Sequence, residues 1–265
     1  MYGIIINFCS NEKHFLKSLL EECAHFANEI VISYTDQLYN GEMEDMSFLN
    51  EYINSKNTNV KFVKYNIDLN LPNDKRLGVV HRPTAYWHNL ARHTAVQSLS
   101  NNIEWVFVID ADEIPDGKRV KEWLDDNVLY ASYCYKISTY WYFKLPIFQS
   151  KTYEDSILLI HKKFLNKDTI FGDFERDHTI VKSGCTLQRM VLGLDNLPFW
   201  HHYSWVRSKD GIRKKISGWA HANDIFQGVD VEKVIDYIYK DDNVNDFVHK
   251  YEYNIVPNKF SINLD

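Results

Sequence analysis

The chain lacks the marks of several protein classes. Its 265 residues hold only four cysteines, and Cys9, Cys23, Cys134 and Cys185 include no C-x-x-C pair. That spacing fits reduced thiols better than a disulfide frame or a zinc knuckle. No run of 18 apolar residues occurs, which excludes a membrane-spanning helix, and the short apolar stretch 4–8 has no basic flank and falls short of a signal peptide. The expected location is the cytoplasm. There are no phosphate-loop glycines, no H-x-x-x-H zinc pair, no serine or cysteine nucleophile context, no repeat and no low-complexity tract. Positive charge is short as well: 30 Lys and Arg against 36 Asp and Glu give a net charge of −6. A nucleic-acid backbone is therefore not expected as the main partner, although a local basic pocket is compatible with that balance.

What is present is enough apolar material for a large core, with 45% hydrophobic and 15% aromatic residues. The stretches 3–8, 29–34, 60–65 and 105–109 are short apolar runs and predict strands. Between them, 12–26 carries Phe15, Leu19 and Cys23 at helical spacing with Leu16 and Leu20 alongside. The segment 45–54 carries Met46, Leu49 and Ile53, and Pro83 opens a helix to about Leu99 with Trp87, Ala91, Ala95 and Leu99 inward. Strand and helix in alternation predict an α/β fold, a parallel sheet with helices on both faces. Beyond residue 130 the runs 131–145 and 157–164 are aromatic and β-branched, as in an antiparallel addition. One domain over 1–265 is expected, with a ligand-binding half at 1–125, a second half at 126–222 and a helical tail at 223–265.

The stretch 105–117, WVFVIDADEIPDG, is the most telling. A buried strand runs directly into Asp110, Asp112 and Glu113, and the carboxyl end of such a strand faces the ligand crevice of an open sheet. Like charges packed there call for a cation, and Mg²⁺ or Mn²⁺ bound by oxygen would answer, in turn holding a diphosphate. The alternative is an acidic turn that caps a helix starting near Gly117, with Asp112, Glu113 and Asp116 at its amino end. His88, Asn89 and Arg92 share one side of the Pro83 helix, offset from its apolar stripe. Arg92 there offers a planar fork to phosphate or pairs with Asp110, unless the face is simply solvated. His81 and Arg82 are weaker candidates for the same task.

With these elements in order, the sequence resembles the GT-A glycosyltransferases, specifically family-2-like members with a D-A-D-E motif. The resemblance rests on Cys9-Ser10-Asn11-Glu12 after the first strand, a second strand ending near Asp36, Asn89-Leu90-Ala91-Arg92, Asp110-Ala111-Asp112-Glu113, and 202–207, HYSWVR; it covers about residues 3–222. The chain departs from the pattern at Ser33-Tyr34-Thr35-Asp36, where an Asp-Gly-Ser cluster is usual. The resemblance implies a nucleotide-sugar-binding mixed sheet and a smaller antiparallel, aromatic acceptor half. It implies a UDP- or GDP-sugar donor, a saccharide or glycoconjugate acceptor, and Mn²⁺ or Mg²⁺ on the D-x-D acids. Cys9, Asn11, Asp36, Asn89, Arg92, Asp110 and Ala111 are then donor-binding candidates, and Asp110, Asp112 and His202 metal ligands. His201 and His202 are adjacent on a strand and point to opposite faces, so only one can serve.

An inverting transferase needs a carboxylate as general base near the acceptor hydroxyl; a retaining one does not. The segment 171–178, FGDFERDH, read as a stretch before another strand, supplies Asp177 and, second, Glu175; exposed strand carboxylates are the alternative. Among Tyr130, Tyr133, Tyr135, Tyr140, Trp141, Tyr142, Phe143 and Phe148, some could form a sugar platform, while others are core. Ser208 is placed to cap a helix with Ile212, Ile216 and Trp219 inward and with Lys214 and His221 on the far side. Arg207, Lys209, Arg213, Lys214 and Lys215 form a basic cluster, either a phosphate-facing lid, with Arg207 and Lys214 on the donor, or a solvated face. A non-catalytic nucleotide-sugar or glycan-binding module and a nucleotidyltransferase or phosphohydrolase stay open beside the transferase.

Overall fold

The computed structural model describes residues 1–55, 58–78, 84–218 and 228–264. Four strands, β1 (Tyr2–Phe8), β2 (Glu29–Tyr34), β3 (Val60–Lys64) and β4 (Trp105–Asp110), pair in parallel in the order β3-β2-β1-β4. Between and after them come helices α1 (Lys13–Cys23), α2 (Leu49–Ile53), α3 (Ala85–Ser98) and α4 (Gly117–Asp126). The alternation of side chains along a strand explains the layering. Ile4, Ile6 and Phe8 of β1 pack with Phe15, Leu16 and Leu19 of α1, while Ile5 points the other way, into the cluster that holds Ala95, Val96 and Leu99. A sheet covered on both faces needs such continuous apolar runs, which is why β1, β2 and β4 are legible as such, while β3 at the sheet edge alternates Val60, Phe62 and Val63 with Lys61 and Lys64.

The second half extends the same sheet. A short β5 (Glu113–Pro115) follows the acidic step, then β6 (Tyr133–Phe143), β7 (Phe148–His161), β8 (Thr186–Val191) and β9 (Trp200–Trp205). β7 adds antiparallel to β4, β6 to β7, β9 in parallel to β6, and β5 antiparallel to β9. The mixed α/β sheet with an antiparallel addition is thus as expected.

Three expectations change. The 45–54 helix is only one turn long, Leu49–Ile53. The 171–178 segment is no approach to a strand: after α5 (Lys167–Ile170), α6 (Glu175–Ser183) begins inside it. Its signals are helical, with Glu175 and Asp177 in the first turn and Gly184 closing it in the left-handed conformation at φ 67°. The tail is not helical throughout, since after α7 (Lys209–Gly218) and α8 (Val231–Ile238) the chain forms β10 (Tyr253–Ile255) on β7. Phe260 and Ile262 then enter the main core beside α1, where Ser18 Oγ donates to the Phe260 carbonyl at 3.1 Å. His81, Arg82, Pro83, Trp219 and His221 lie outside the described residues. Among the described residues no helix is long and apolar enough to cross a membrane.

Candidate functional site

A cavity of about 530 Å³ opens at the carboxyl ends of β1, β2 and β4, the position that an open parallel sheet reserves for a ligand. Asn7, Cys9, Thr35, Gln37, Tyr39 and Tyr65 line one end. His88, Asp110, Asp112, Glu175, Arg176, His202 and Arg207 line the middle, with Lys214 and Lys215 beside them, and Trp141, Trp205, Phe247 and His249 stand at the far end. Chain topology, not sequence proximity, gathers these groups.

The crowded carboxylates are met by the chain's own cations. Asp110 Oδ1 lies 3.3 Å from His88 Nε2 and 3.2 Å from Arg92 Nη2, and its Oδ2 lies 3.1 Å from Arg176 Nη2. Glu113 is fully buried, receives Arg176 as a fork at 2.7 and 3.0 Å, and accepts the Asp110 backbone N–H. Asp112 Oδ2 accepts from Arg207 Nη2 at 2.8 Å, with Lys215 Nζ at 3.9 Å, and its Oδ1 faces His202 Nε2 at 3.7 Å. Burial alone would raise the Asp110 carboxyl, but Arg176, Arg92 and His88 hold it well below the usual range; Lys215, Arg207 and His202 outweigh burial at Asp112 in the same sense.

Strand register sets part of this geometry. β5 pairs Glu113 with His202 and Ile114 with His201, and the Tyr203 N–H donates to the Asp112 carbonyl at 2.8 Å. His202 therefore faces the acids, while His201 turns away and meets Tyr142 Oη at 2.9 Å, in keeping with the alternation along a strand. Arg207 is 1% exposed, donates to the Tyr203 and Val206 carbonyls, and lies 4.8 Å above the Phe15 ring.

The other candidates divide. Cys9, Glu175 and Lys214 line the cavity, as does Asn11, whose amide donates to the Gly211 carbonyl at 3.0 Å and ties the first strand end to α7. Asp36 pairs with Lys64 at 2.6 Å, Ala111 is buried in the core, and Asn89 donates to the Gly172 carbonyl at 2.8 Å; none of the three lines the cavity. Gly172 is needed for a different neighbour, since a Cβ there would stand 2.2 Å from the His178 ring. Asp177 is exposed, 3.4 Å from Lys136, and outside the cavity lining. Arg213 pairs at the surface with Glu232 at 2.7 Å. Glu175, by contrast, holds a left-handed φ of 49°, which brings its carboxylate 3.1 Å from His88 Nδ1 and 3.0 Å from Arg92 Nη1. Such backbone strain is concentrated at functional sites.

Sequence reasoning left Glu12, Arg176 and Lys215 out of the site proper. Lys215 had a signal, since it sits beside Ile216 and three residues after Ile212 on the buried side of α7. Arg176 had a weaker one, a lone cation among the acids of 173–177. Glu12 is pushed up to about 8 by burial and then by Asp112, with Arg207 opposing, so near neutral pH it carries a proton. Its Oε1 is 3.5 Å from Arg207 Nη2.

Stability should pass through a maximum near pH 6.5. Burial pushes His14 down to about 3 and His201 well below its usual range, so both stay neutral in the fold. The unfolded chain takes up those protons below about 6.5, so this stability is present above that pH and is lost as pH falls. On the alkaline side, burial and Arg92 would lower His88, yet Glu175 and Asp110 raise it to about 9. Its contribution is full below about 6.5 and is lost as pH rises towards 9, while Glu12, still protonated when its unfolded counterpart is ionised, destabilises progressively up to about 8. Melting temperatures measured from pH 5 to 9 check this; a level limb above pH 7 would contradict the assignment of His88 and Glu12.

No protein-family model and no curated sequence matches this chain. Among solved structures it is similar to S. aureus TarS at 13% identity, TM-score 0.42, over 77% of this chain and 60% of that one. It is similar to the glycosyltransferase GlyE of Streptococcus pneumoniae TIGR4 at 10% identity, TM-score 0.43, over 90% and 63%. It is also similar to the inositol-1-phosphate CTP transferase of T. maritima at 11% identity, TM-score 0.46, over 83% and 98%. The chain thus spans less than two thirds of the length of TarS and of GlyE.

Proposed function

We propose that this chain is a GT-A-type glycosyltransferase that moves a sugar from a UDP- or GDP-sugar to a hydroxyl of a saccharide or glycoconjugate. The observation that carries this reading is the surplus of positive charge around Asp112. Arg207 and Lys215 lie 2.8 and 3.9 Å from Asp112 Oδ2 and Lys214 also lines the cavity, and Glu12, protonated near neutral pH, does not offset them. A dianionic diphosphate fits there, and the fixed guanidinium and ammonium groups would stabilise charge developing on the leaving nucleotide.

A divalent cation fits beside it on two residues. Asp112 Oδ1 and His202 Nε2 face each other across 3.7 Å, against about 3 Å between neighbouring ligands of an octahedral ion at about 2.1 Å. Two protein ligands plus phosphate oxygens and water suffice for Mg²⁺ or Mn²⁺. Asp110 suits the role less, because its oxygens already face His88, Arg92 and Arg176. When bound, the ion would supply Lewis-acid stabilisation of the leaving diphosphate. For an inverting reaction we assign the acceptor proton to Glu175, which lines the cavity, rather than to Asp177, which does not.

The test is nucleotide release from a panel of UDP- and GDP-sugars with Mn²⁺, with and without saccharide acceptors. We expect acceptor-dependent release that EDTA abolishes and Mn²⁺ or Mg²⁺ restores. Full turnover in EDTA would remove the metal; tight donor binding with no transfer to any acceptor would make the protein a binding module. Pyrophosphate release from a nucleoside triphosphate would assign it to the nucleotidyltransferases.

A further inference from the structure

The chain beyond α8, expected as a helical tail, supplies part of the cavity wall. Phe247, Val248 and His249 line the far end beside Trp141 and Trp205. They belong to an irregular loop between α8 and β10 that one carboxylate organises. Asp246 is 7% exposed; its Oδ1 accepts the Val248 and His249 backbone N–H groups at 2.9 and 3.0 Å, and its Oδ2 accepts the Tyr251 N–H at 3.1 Å and the Tyr253 hydroxyl at 2.7 Å. These charge-assisted bonds fix the backbone on both sides of His249. Lys250, the next residue, holds a left-handed φ of 59°, a backbone cost of the kind concentrated at functional sites.

Ring contacts carry this loop to the acidic step. His249 meets the Trp141 ring in a T-shaped contact, centroids 4.8 Å apart, and the same indole meets His202 at 4.8 Å. His249 also stacks on Tyr251 at 4.9 Å, and its Nε2 lies 3.4 Å from Glu154 Oε1. The imidazole is thus held from several sides, while 32% of its side chain stays exposed and within reach of a ligand. Phe247 packs on Trp205 at 5.0 Å. The chemistry of the cavity therefore changes along its length, from the amides and hydroxyl of Asn7, Thr35 and Gln37, through Arg207 and Lys215, to aromatic rings. A nucleoside diphosphate accounts for the first two parts. A pyranose suits the third, since its C–H face packs on aromatic rings and its hydroxyls bond to an imidazole. We propose that the loop 246–249 is the acceptor subsite, with the acceptor sugar packed against Phe247 and His249 and with Asp246 as the positioning residue that holds them. The loop lies outside residues 3–222, which carry the family resemblance, and the inference rests on the nucleotide-sugar reading of the cavity.

Kinetics and equilibrium binding on the full chain with Mn²⁺ test it, using UDP, GDP, UDP-glucose and GDP-mannose at the donor end and the methyl glycosides of glucose, galactose and N-acetylglucosamine as acceptors. We expect His249→Ala to raise the KM of each accepted glycoside by about fivefold or more, with kcat and the Kd for UDP and GDP within about twofold of wild type, the pattern of a contact made equally in the ground and transition states. Asp246→Asn, which gives up the charge that gathers the loop, should show the same split at about tenfold. An unchanged acceptor KM in His249→Ala would overturn the assignment. Weaker binding of UDP-glucose or GDP-mannose but not of UDP or GDP would give the loop to the transferred sugar instead, and an equal loss for the bare nucleotides would make it a support of the fold. No transfer to any glycoside by the wild type, with UDP or GDP still bound, would overturn this inference alone. Failure of every nucleotide to bind would overturn the donor reading and the inference with it.

Discussion

Asp112→Asn is expected to lower the melting temperature and the transfer rate together. From the sequence, removing one of three crowded negative charges looks harmless to the fold. The structure reverses that expectation, because Asp112 is 3% exposed and is the acceptor for Arg207, itself 1% exposed, at 2.8 Å. The amide keeps an acceptor oxygen but not the charge, leaving buried Arg207 and Lys215 in excess; breaking such a pair costs about 3 kcal/mol. For a chain of this size that is roughly 6–12 °C. On the proposed reading, in which Asp112 holds the cation and orients Arg207, the same change should also reduce transfer by about 10²-fold or more. Calorimetry and nucleotide release on the same preparation check both; an unchanged melting temperature would mean that Arg207 does not depend on this carboxylate.

The larger cost to stability is expected at Arg176→Ala. Glu113 is fully buried, and Arg176 is the cation that reaches both its oxygens, at 2.7 and 3.0 Å. The substitution also takes a cation from Asp110 and a donor from the Val108 carbonyl. Stranding a buried carboxylate costs about 3–5 kcal/mol, or roughly 6–20 °C in melting temperature. Adding Glu113→Gln should recover part of that loss, because the stranded charge is then gone. A double-mutant cycle by urea denaturation reads the coupling, and additive costs would show that the two residues do not act as a pair.

These two expectations also mark the boundary of what the sequence could show. The parallel half was legible because β1, β2 and β4 are buried on both faces and written as apolar runs, and because α1 and α3 carry their stripes at helical spacing. The placement of Asp110 and Asp112 at a strand end, and the division of labour between His201 and His202, followed from chain geometry alone. The charge balance did not. Acids at 110–113 look crowded when only their own segment is considered, but their partners lie 18, 66 and 95 residues away, in Arg92, Arg176 and Arg207. No local pattern joins positions so far apart. The helix at 175–183 was missed for a different reason: its polar face is most of its length, so the acidic first turn and Gly184 were the only signals.

The docking of 258–262 bears on how the protein is made. Phe260 and Ile262 complete the cluster that holds Ile4, Phe15 and Leu19, and Lys259 pairs with Asp116 near the start of α4. A ribosome delivers β1 and α1 early and these closing residues late; at bacterial or eukaryotic elongation rates the delay is on the order of tens of seconds. Throughout that interval the α1 face of the growing chain is an unfinished apolar surface, open to chaperones and to neighbouring nascent chains on the same messenger. Closure of the α1 face thus waits on two side chains that do not line the ligand cavity.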